Sequence, residues 1–359
     1  MNKILLVLSL FLSLLIGCSS DDDYSPIAPE AASPVSFDLS RVPYSNLSEY
    51  KFYEGDMKDM SPSLGVLPYK LINKLFTDYA TKSRFVWMPD GTTAQYIQDE
   101  QILEFPVGAV MVKNFYYDRV APSMERKIIE TRLIYKTATG WEFADYLWND
   151  EQTDATYDLD GSVTRVDFEL DGSMQSVDYR IPSRAECITC HKKNDDASPI
   201  GPKPFNLNSD LTYADGIENQ LVKLEQMGYV SGLPASISQL PDWRDTSFSL
   251  QDRFRSYAEI NCAHCHNDLG HCAYREIRFD YLNSTTDESL GICVDPEEEV
   301  GVGQTHIVRA GVSRRSALYH RLSTNEPSER MPLLGRTIVD QEAVALVETW
   351  IESMDNNCN

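Results

Sequence analysis

The sequence predicts an α+β multidomain protein, with an antiparallel β-rich N-terminal domain followed by a mostly α-helical region. Short apolar and aromatic stretches between Asp-Gly turns favour antiparallel strands over residues 84–179. Apolar residues at helical spacing indicate two amphipathic helices in the last third of the chain. The length of 359 residues exceeds what one hydrophobic core usually supports, which favours several domains.

The N-terminus has the pattern of an export signal. Lys3 precedes an apolar run over residues 4–16, which is short for a membrane span and typical of a secretory signal. A glycine directly before Cys18 resembles a bacterial lipobox, in which the cysteine becomes the lipidated first residue. We therefore expect a lipoprotein signal peptide at residues 1–17, lipidation of Cys18 and a disordered tether at residues 18–36. An ordinary signal peptide with an incidental cysteine is the alternative.

Two pentapeptides carry the pattern C-x-x-C-H, which is the attachment signature of c-type haem. Two thiols at this spacing can form thioethers with the porphyrin vinyl groups, and the adjoining imidazole can ligate the iron. Two copies behind an export signal predict two covalently bound haem c groups, each with a histidine as iron ligand. The residues are Cys187, Cys190 and His191 in the first motif and Cys262, Cys265 and His266 in the second motif.

Zinc sites and dithiol redox sites are the competing interpretations of these cysteines. A zinc ribbon also uses paired C-x-x-C, but its halves normally lie about 15 to 20 residues apart. Residues 192–261 separate the two motifs here, which is a far longer stretch. A thioredoxin-like dithiol occurs at a strand-to-helix turn of a βαβ unit, and neither motif is predicted to have that setting.

The second motif lies between the two predicted helices. Leu250, Phe254 and Tyr257 have helical spacing and predict a helix that runs into the motif. The C-terminal helix is predicted to begin after Asp340, which serves as its N-cap. Met331 lies between the helices and is the expected sixth ligand of the second iron. Because a thioether favours reduced iron, this ligand is typical of an electron carrier.

The first motif follows an extended segment, so its haem is expected where the β-rich domain ends. Met227 is the only methionine between the two motifs and is the candidate distal ligand of the first iron. An open coordination position and a ligand from the β-rich domain are the alternatives. His264 is a further donor, but its place inside the second motif is wrong for ligating the iron of that motif.

Three cysteines remain after haem attachment and lipidation. An oxidising compartment favours a disulfide between Cys272 and Cys293, which leaves Cys358 free. Pairing that involves Cys358 is the alternative.

These features resemble a family of bacterial diheme c-type cytochromes, which are largely uncharacterised lipoproteins. Residues 246–359 also resemble a class I cytochrome c. The family resemblance covers about residues 37–354 and implies two haems and an N-terminal domain without a haem of its own; it supplies no substrate. The segments that carry it are Leu47-Ser48-Glu49-Tyr50, Gly65-Val66-Leu67-Pro68-Tyr69, Phe105-Pro106-Val107-Gly108, Glu130-Thr131-Arg132, Gly201-Pro202, the second motif with Asn261, and Met331-Pro332.

The expected domains follow from the motifs and the resemblance. The β-rich domain is predicted at residues 37–183 and the first haem-binding segment at residues 184–245. A cytochrome c-like second haem domain is predicted at residues 246–359. The mostly α-helical part of the chain is thus expected to bind both haems and to end in a class I cytochrome c-like domain.

The expected function is electron transfer by an exported diheme lipoprotein of a Gram-negative bacterium, anchored in the outer membrane and facing the periplasm or the cell surface. The alternative is a redox enzyme, either a peroxidase or a dehydrogenase subunit, that uses the first haem as its substrate site. A third interpretation makes the β-rich domain a ligand-binding module with Trp87, Trp141 and Trp148. The formal net charge of -23 argues against nucleic acid and favours basic redox proteins as partners.

Overall fold

An eight-stranded antiparallel sheet dominates the computed structural model, which describes residues 32–355 and 357–358. The predicted signal peptide, Cys18 and residues 19–31 of the predicted tether lie outside the described residues. In chain order the strands are β1 Leu67–Pro68, β2 Thr81–Trp87, β3 Ala94–Gln95, β4 Val110–Val120, β5 Glu125–Thr137, β6 Gly140–Trp148, β7 Ala155–Tyr157, β8 Ser162–Leu170, β9 Ser173–Ile181, β10 Lys192–Lys193, β11 Asp196–Ala197, β12 Asp210–Tyr213, β13 Gly216–Asn219 and β14 Val230–Ser231.

The large sheet has the strand order β1-β2-β4-β5-β6-β7, and β8 pairs with both β4 and β9. The β8–β9 hairpin turns at Asp171 and Gly172, whose φ angles are 49° and 77°. Two consecutive positive φ angles are what a tight two-residue hairpin requires, and Asp-Gly adopts them readily. Outside this sheet, β14 pairs with β3 in parallel, so the chain after the first motif is joined to the N-terminal part.

The two faces of the sheet have different environments. Phe85, Val112 and Leu133 are partners in register and pack into an aromatic core with residues of the segment 35–66. Because side chains alternate along a strand, their neighbours point to the opposite face. Val86 and Met111 on that face pack instead with residues of the chain after the first motif. The sheet thus separates its aromatic core from the side on which both motifs lie.

The described residues contain six α-helices: α1 Arg184–His191, α2 Pro204–Leu207, α3 Gln220–Gln226, α4 Leu250–Asn261, α5 Ala317–Ser323 and α6 Gln341–Glu352. Three 3-10 helices lie at Leu47–Tyr50, Met57–Asp59 and Ser313–Arg315. None of the helices in this part of the chain combines the length and the apolar character of a membrane span.

The two predicted amphipathic helices are confirmed as α4 and α6. Ser249 caps α4 by accepting a hydrogen bond from Asp252 N at 3.1 Å, and Asp340 caps α6 by accepting one from Ala343 N at 3.2 Å. The helices pack against each other through the stacked rings of Phe254 and Trp350, whose centroids are 3.9 Å apart.

The prediction of a mostly α-helical haem-binding region that ends in a class I cytochrome c-like domain is wrong. The structure is β-rich, with 27% strand against 18% helix. Most of the chain between α4 and α5 forms turns, in which short polar side chains bond to nearby backbone. Asp280, for example, accepts hydrogen bonds from both the backbone and the side chain of Asn283. Such local bonds compete with the helical hydrogen-bond pattern.

Candidate functional site

The first motif lies on α1, which a capping box begins. Ser183 Oγ accepts a hydrogen bond from Glu186 N at 3.4 Å, and Glu186 Oε2 accepts one from Ser183 N at 2.7 Å. Arg180 donates to the same carboxylate at 3.0 Å and 3.2 Å. These contacts hold the start of the helix that carries Cys187 and Cys190.

His191 ends α1, and its ring is fixed from two sides. Nδ1 lies 2.7 Å from the carbonyl oxygen of Ser198, and the ring centroid lies 5.1 Å from that of Phe143 in β6. When Nδ1 donates to the carbonyl, Nε2 is the nitrogen that remains available to a metal. Burial lowers the pKa of His191 to about 4, so the imidazole is neutral at pH 7, as a metal ligand must be.

A cavity of about 150 Å³ adjoins the first motif. We call it the first cavity; Cys187, Cys190 and His191 line one side of it. The sheet face that includes Met111 and Arg132 forms another part of the wall. The β-rich part of the chain therefore contributes directly to the surroundings of the first motif.

The second motif continues the C-terminal end of α4. The backbone nitrogen of Cys262 donates to Ala258 O at 2.8 Å, and that of His266 donates to Cys262 O at 3.0 Å. The His266 ring lies 5.5 Å from the Phe279 ring. Burial lowers the pKa of His266 to about 4. Its Nδ1 is buried without a hydrogen-bond partner among the described residues. A buried neutral imidazole of this kind can serve as a haem iron ligand, although in the described chain it lacks the orienting hydrogen bond at Nδ1 that His191 has.

The second cavity has a volume of about 500 Å³, which is within the range of pockets that hold organic ligands. Cys262, Cys265, His266 and Met331 all line it. The structure thus brings the predicted sixth ligand to the motif for which it was predicted. Ligation itself stays a prediction.

Arg336 positions the loop that carries Met331. Its side chain is only 3% exposed, and its Nε donates to the backbone oxygen of Met331 at 3.0 Å. Nη2 donates to the carbonyl oxygens of Arg321 and Thr324, each at 2.9 Å. One buried guanidinium therefore ties Met331 to the end of α5.

Met227 does not reach either motif. It follows the last residue of α3, is 41% exposed and lines neither cavity. The reason is that α3 turns Leu221 and Leu224 into the core and leaves its C-terminal end at the surface. The assignment of Met227 as the distal ligand of the first iron is therefore not supported by the structure.

Two donors that the sequence analysis did not assign to the first iron line the first cavity. Met111 lies in β4 on the cavity-facing side of the sheet, and His264 belongs to the second motif. The alternation of β4 could have identified Met111 if the strand register had been known. No signal in the sequence indicates that His264 faces the first motif.

The cavities adjoin each other. Cys190 and His264 line both of them, although they belong to different motifs. Burial, and next the nearby His191 and His266, lower the pKa of His264 to about 3. The two pentapeptides, distant in sequence, therefore lie side by side in the fold.

The disulfide differs from the expected pairing. Cys293 is bonded to Cys358, and Cys272 is a buried thiol outside any disulfide among the described residues. The prediction of a Cys272–Cys293 bond is wrong because the C-terminal segment after α6 returns to Cys293. Cys272 instead lies beside the second motif, where its backbone nitrogen donates to Cys265 O at 2.9 Å.

The described part of the chain contains no cluster of three or more His, Cys, Asp or Glu side chains arranged to hold a bare metal ion. A haem iron takes four ligands from the porphyrin and needs at most two from the protein. No protein-family model, curated protein or solved structure matches this chain.

Proposed function

We propose that the chain is an electron-transfer protein with two covalently attached haem c groups, one at each motif. The adjoining cavities carry this proposal, because Cys190 and His264 line both of them. Two redox groups bound there would be neighbours rather than isolated centres. Each group, when bound, supplies reversible one-electron chemistry at its iron.

The chain's own residues have distinct roles in this proposal. Cys187, Cys190, Cys262 and Cys265 form the thioethers, and the neutral imidazoles of His191 and His266 are the proximal ligands. The Ser198 carbonyl orients His191 by accepting a hydrogen bond from its Nδ1–H. Met331 is the sixth ligand at the second cavity, where the buried Arg336 holds its loop. For the first iron, Met111 and His264 are the sulfur and imidazole donors in the cavity wall besides the motif itself.

The setting of the protein is also part of the proposal. The N-terminal pattern supports export, lipidation at Cys18 and attachment to the outer membrane, facing the periplasm or the surface. The net charge of -23 would steer basic redox proteins to its surface.

A redox enzyme is the second candidate, and one observation favours it. The first cavity has charged residues in its wall, among them Lys113, Arg132 and Glu186. A peroxidase or dehydrogenase subunit needs such groups beside a haem that binds substrate. Electron paramagnetic resonance separates the two functions: two low-spin irons support the carrier, and one high-spin iron that reacts with peroxide supports the enzyme.

The central test is expression of the mature chain in a host that matures c-type cytochromes. The pyridine haemochrome spectrum should give two haems per chain, and the intact mass should exceed the polypeptide mass by two haems. The paired variants Cys187→Ala with Cys190→Ala and Cys262→Ala with Cys265→Ala should each lose one haem. A colourless product with the polypeptide mass alone would refute the proposal.

A further inference from the structure

Three basic residues form a row across the sheet wall of the first cavity. Arg84 of β2 is in register with Lys113 of β4, and Lys113 is in register with Arg132 of β5. All three side chains line the cavity. Directly opposed residues on neighbouring antiparallel strands lie about 5 Å apart, and like charges at this spacing destabilise a sheet. A row of three basic residues therefore favours a negative charge beside it.

The described residues supply only part of that charge. Arg132 Nε donates to Glu130 Oε2 at 2.9 Å, and Tyr179 donates to the same carboxylate at 2.5 Å. Burial raises the pKa of Glu130, but the Arg132 guanidinium outweighs this effect and holds the pKa below its ordinary value. The Glu130 carboxylate is therefore ionised. Asp145 lies next to Arg132 in register, but burial and the adjacent Glu130 charge raise its pKa well above the ordinary range. Among the described residues, one ionised carboxylate thus faces the Arg84 and Arg132 guanidiniums and the Lys113 amine, whose pKa is held well below its ordinary value by burial and by those two guanidiniums.

Arg84 and Lys113 are the basic residues of the row that lack a carboxylate partner in the described chain. Arg84 is 4% exposed, and its Nη2 has no hydrogen-bond partner there. Lys113 Nζ lies 4.6 Å from the centre of the Phe115 ring. The guanidinium carbon of Arg132 lies 4.2 Å from the centre of the same ring. A buried charged donor without an acceptor is costly, so the wall is suited to a group that brings one.

We propose that Arg84 and Lys113, supported by Arg132, form a site in the first cavity that binds a carboxylate or a small oxyanion. The bound anion has two possible sources, and the first of them rests on the proposed function. A haem attached at Cys187 and Cys190 brings two propionate carboxylates to the cavity that these residues line. The other source is a free oxyanion that enters the cavity from solution.

The experiment measures the midpoint potential of each haem in the holoprotein and in variants of the row. Arg84→Gln and Lys113→Met should each lower the potential of the first haem and leave the second unchanged, because a cation beside the propionates favours the reduced state. Arg84→Lys should retain part of the wild-type value. Arg119→Gln is the matched control, since Arg119 is also in β4 but its side chain is 57% exposed.

A titration with nitrite and with phosphate distinguishes the two sources. If the site holds propionates, the potentials shift in the variants and the spectrum of the first haem does not respond to either anion. If it holds a free oxyanion, the anion produces a saturable spectral change that Arg84→Gln and Lys113→Met abolish. Variants that change neither the potential nor an anion response would overturn the proposal.

The haem-free protein separates this inference from the proposed function. If the chain binds no haem, the proposed function is refuted. Phosphate should even then raise the melting temperature of the wild type more than that of Lys113→Met. An equal response of both proteins to phosphate in that case would also overturn the anion site.

Discussion

The carboxylate of Asp78 accepts a hydrogen bond from the backbone nitrogen of Thr337 at 2.7 Å. It also accepts one from the backbone nitrogen of Ile338 at 3.0 Å and one from the Thr337 hydroxyl at 3.0 Å. Asp78 lies just before β2, and Thr337 follows the loop that carries Met331. The buried Asp78 carboxylate therefore connects the sheet to the loop of the predicted sixth ligand.

Asp78→Ala should lower the free energy of unfolding by about 3 kcal/mol. The substitution leaves two backbone donors without their acceptor, and each buried unsatisfied group costs about 1–3 kcal/mol. Denaturant unfolding measures the change. Asp150→Ala is the control, because the Asp150 side chain is 88% exposed and its loss should change stability by less than about 0.5 kcal/mol. Equal effects of the two variants would show that the Asp78 contact is not structural.

Met331→Ala should remove the methionine-to-iron charge-transfer band in the near-infrared spectrum and lower the potential of one haem. The reason is that Met331 lines the same cavity as His266 and a thioether favours reduced iron. Met227→Ala should leave the band and both potentials unchanged, because Met227 is exposed and lines neither cavity. A band that persists in Met331→Ala would rule out this ligand.

The capping box of α1 should make stability depend on pH. Burial raises the pKa of Glu186, but hydrogen bonds from Arg180 and Ser183 outweigh it and hold the pKa below its ordinary value. The folded state therefore favours the carboxylate, and its contribution is present above the unfolded pKa of about 4.3 and is lost as the pH falls through the lower folded value.

Glu186→Gln should accordingly melt below the wild type at pH 7, and the difference should shrink toward pH 3. Thermal unfolding across this pH range measures both proteins. The same melting-temperature difference at pH 3 and pH 7 would argue that the variant acts through packing instead of charge.

Cys358→Ser should lower the free energy of unfolding by about 4 kcal/mol in oxidising buffer. The bond closes a long loop, since its cysteines are 65 residues apart, and closing such a loop restricts the unfolded chain by about this amount. A reducing agent should bring the wild type to the stability of the variant. Peptide mapping of the unreduced protein checks the pairing: a Cys272–Cys293 peptide would contradict the structure.

Features that depend on a few consecutive residues were accessible from the sequence. The two C-x-x-C-H motifs need only five residues each, and the helices that end at Asn261 and begin after Asp340 follow from local apolar spacing and a cap. Met331, which its spacing after the second motif predicts as an iron ligand, lines the second cavity, and its ligation stays a prediction. Local propensity and short spacing determine the motifs and the two helices.

Only the tertiary structure decided which residues surround the first motif. The row of Arg84, Lys113 and Arg132 exists because three strands pair in one register, and a shift by one residue would turn these side chains to the other face. The exposure of Met227, the approach of His264 to the first cavity and the Cys293–Cys358 bond likewise depend on contacts between distant segments. The prediction of a helical domain around the second motif was wrong for the same reason. Apolar periodicity identifies the flanking helices, but it does not encode the turns and long-range packing of the polar chain between them.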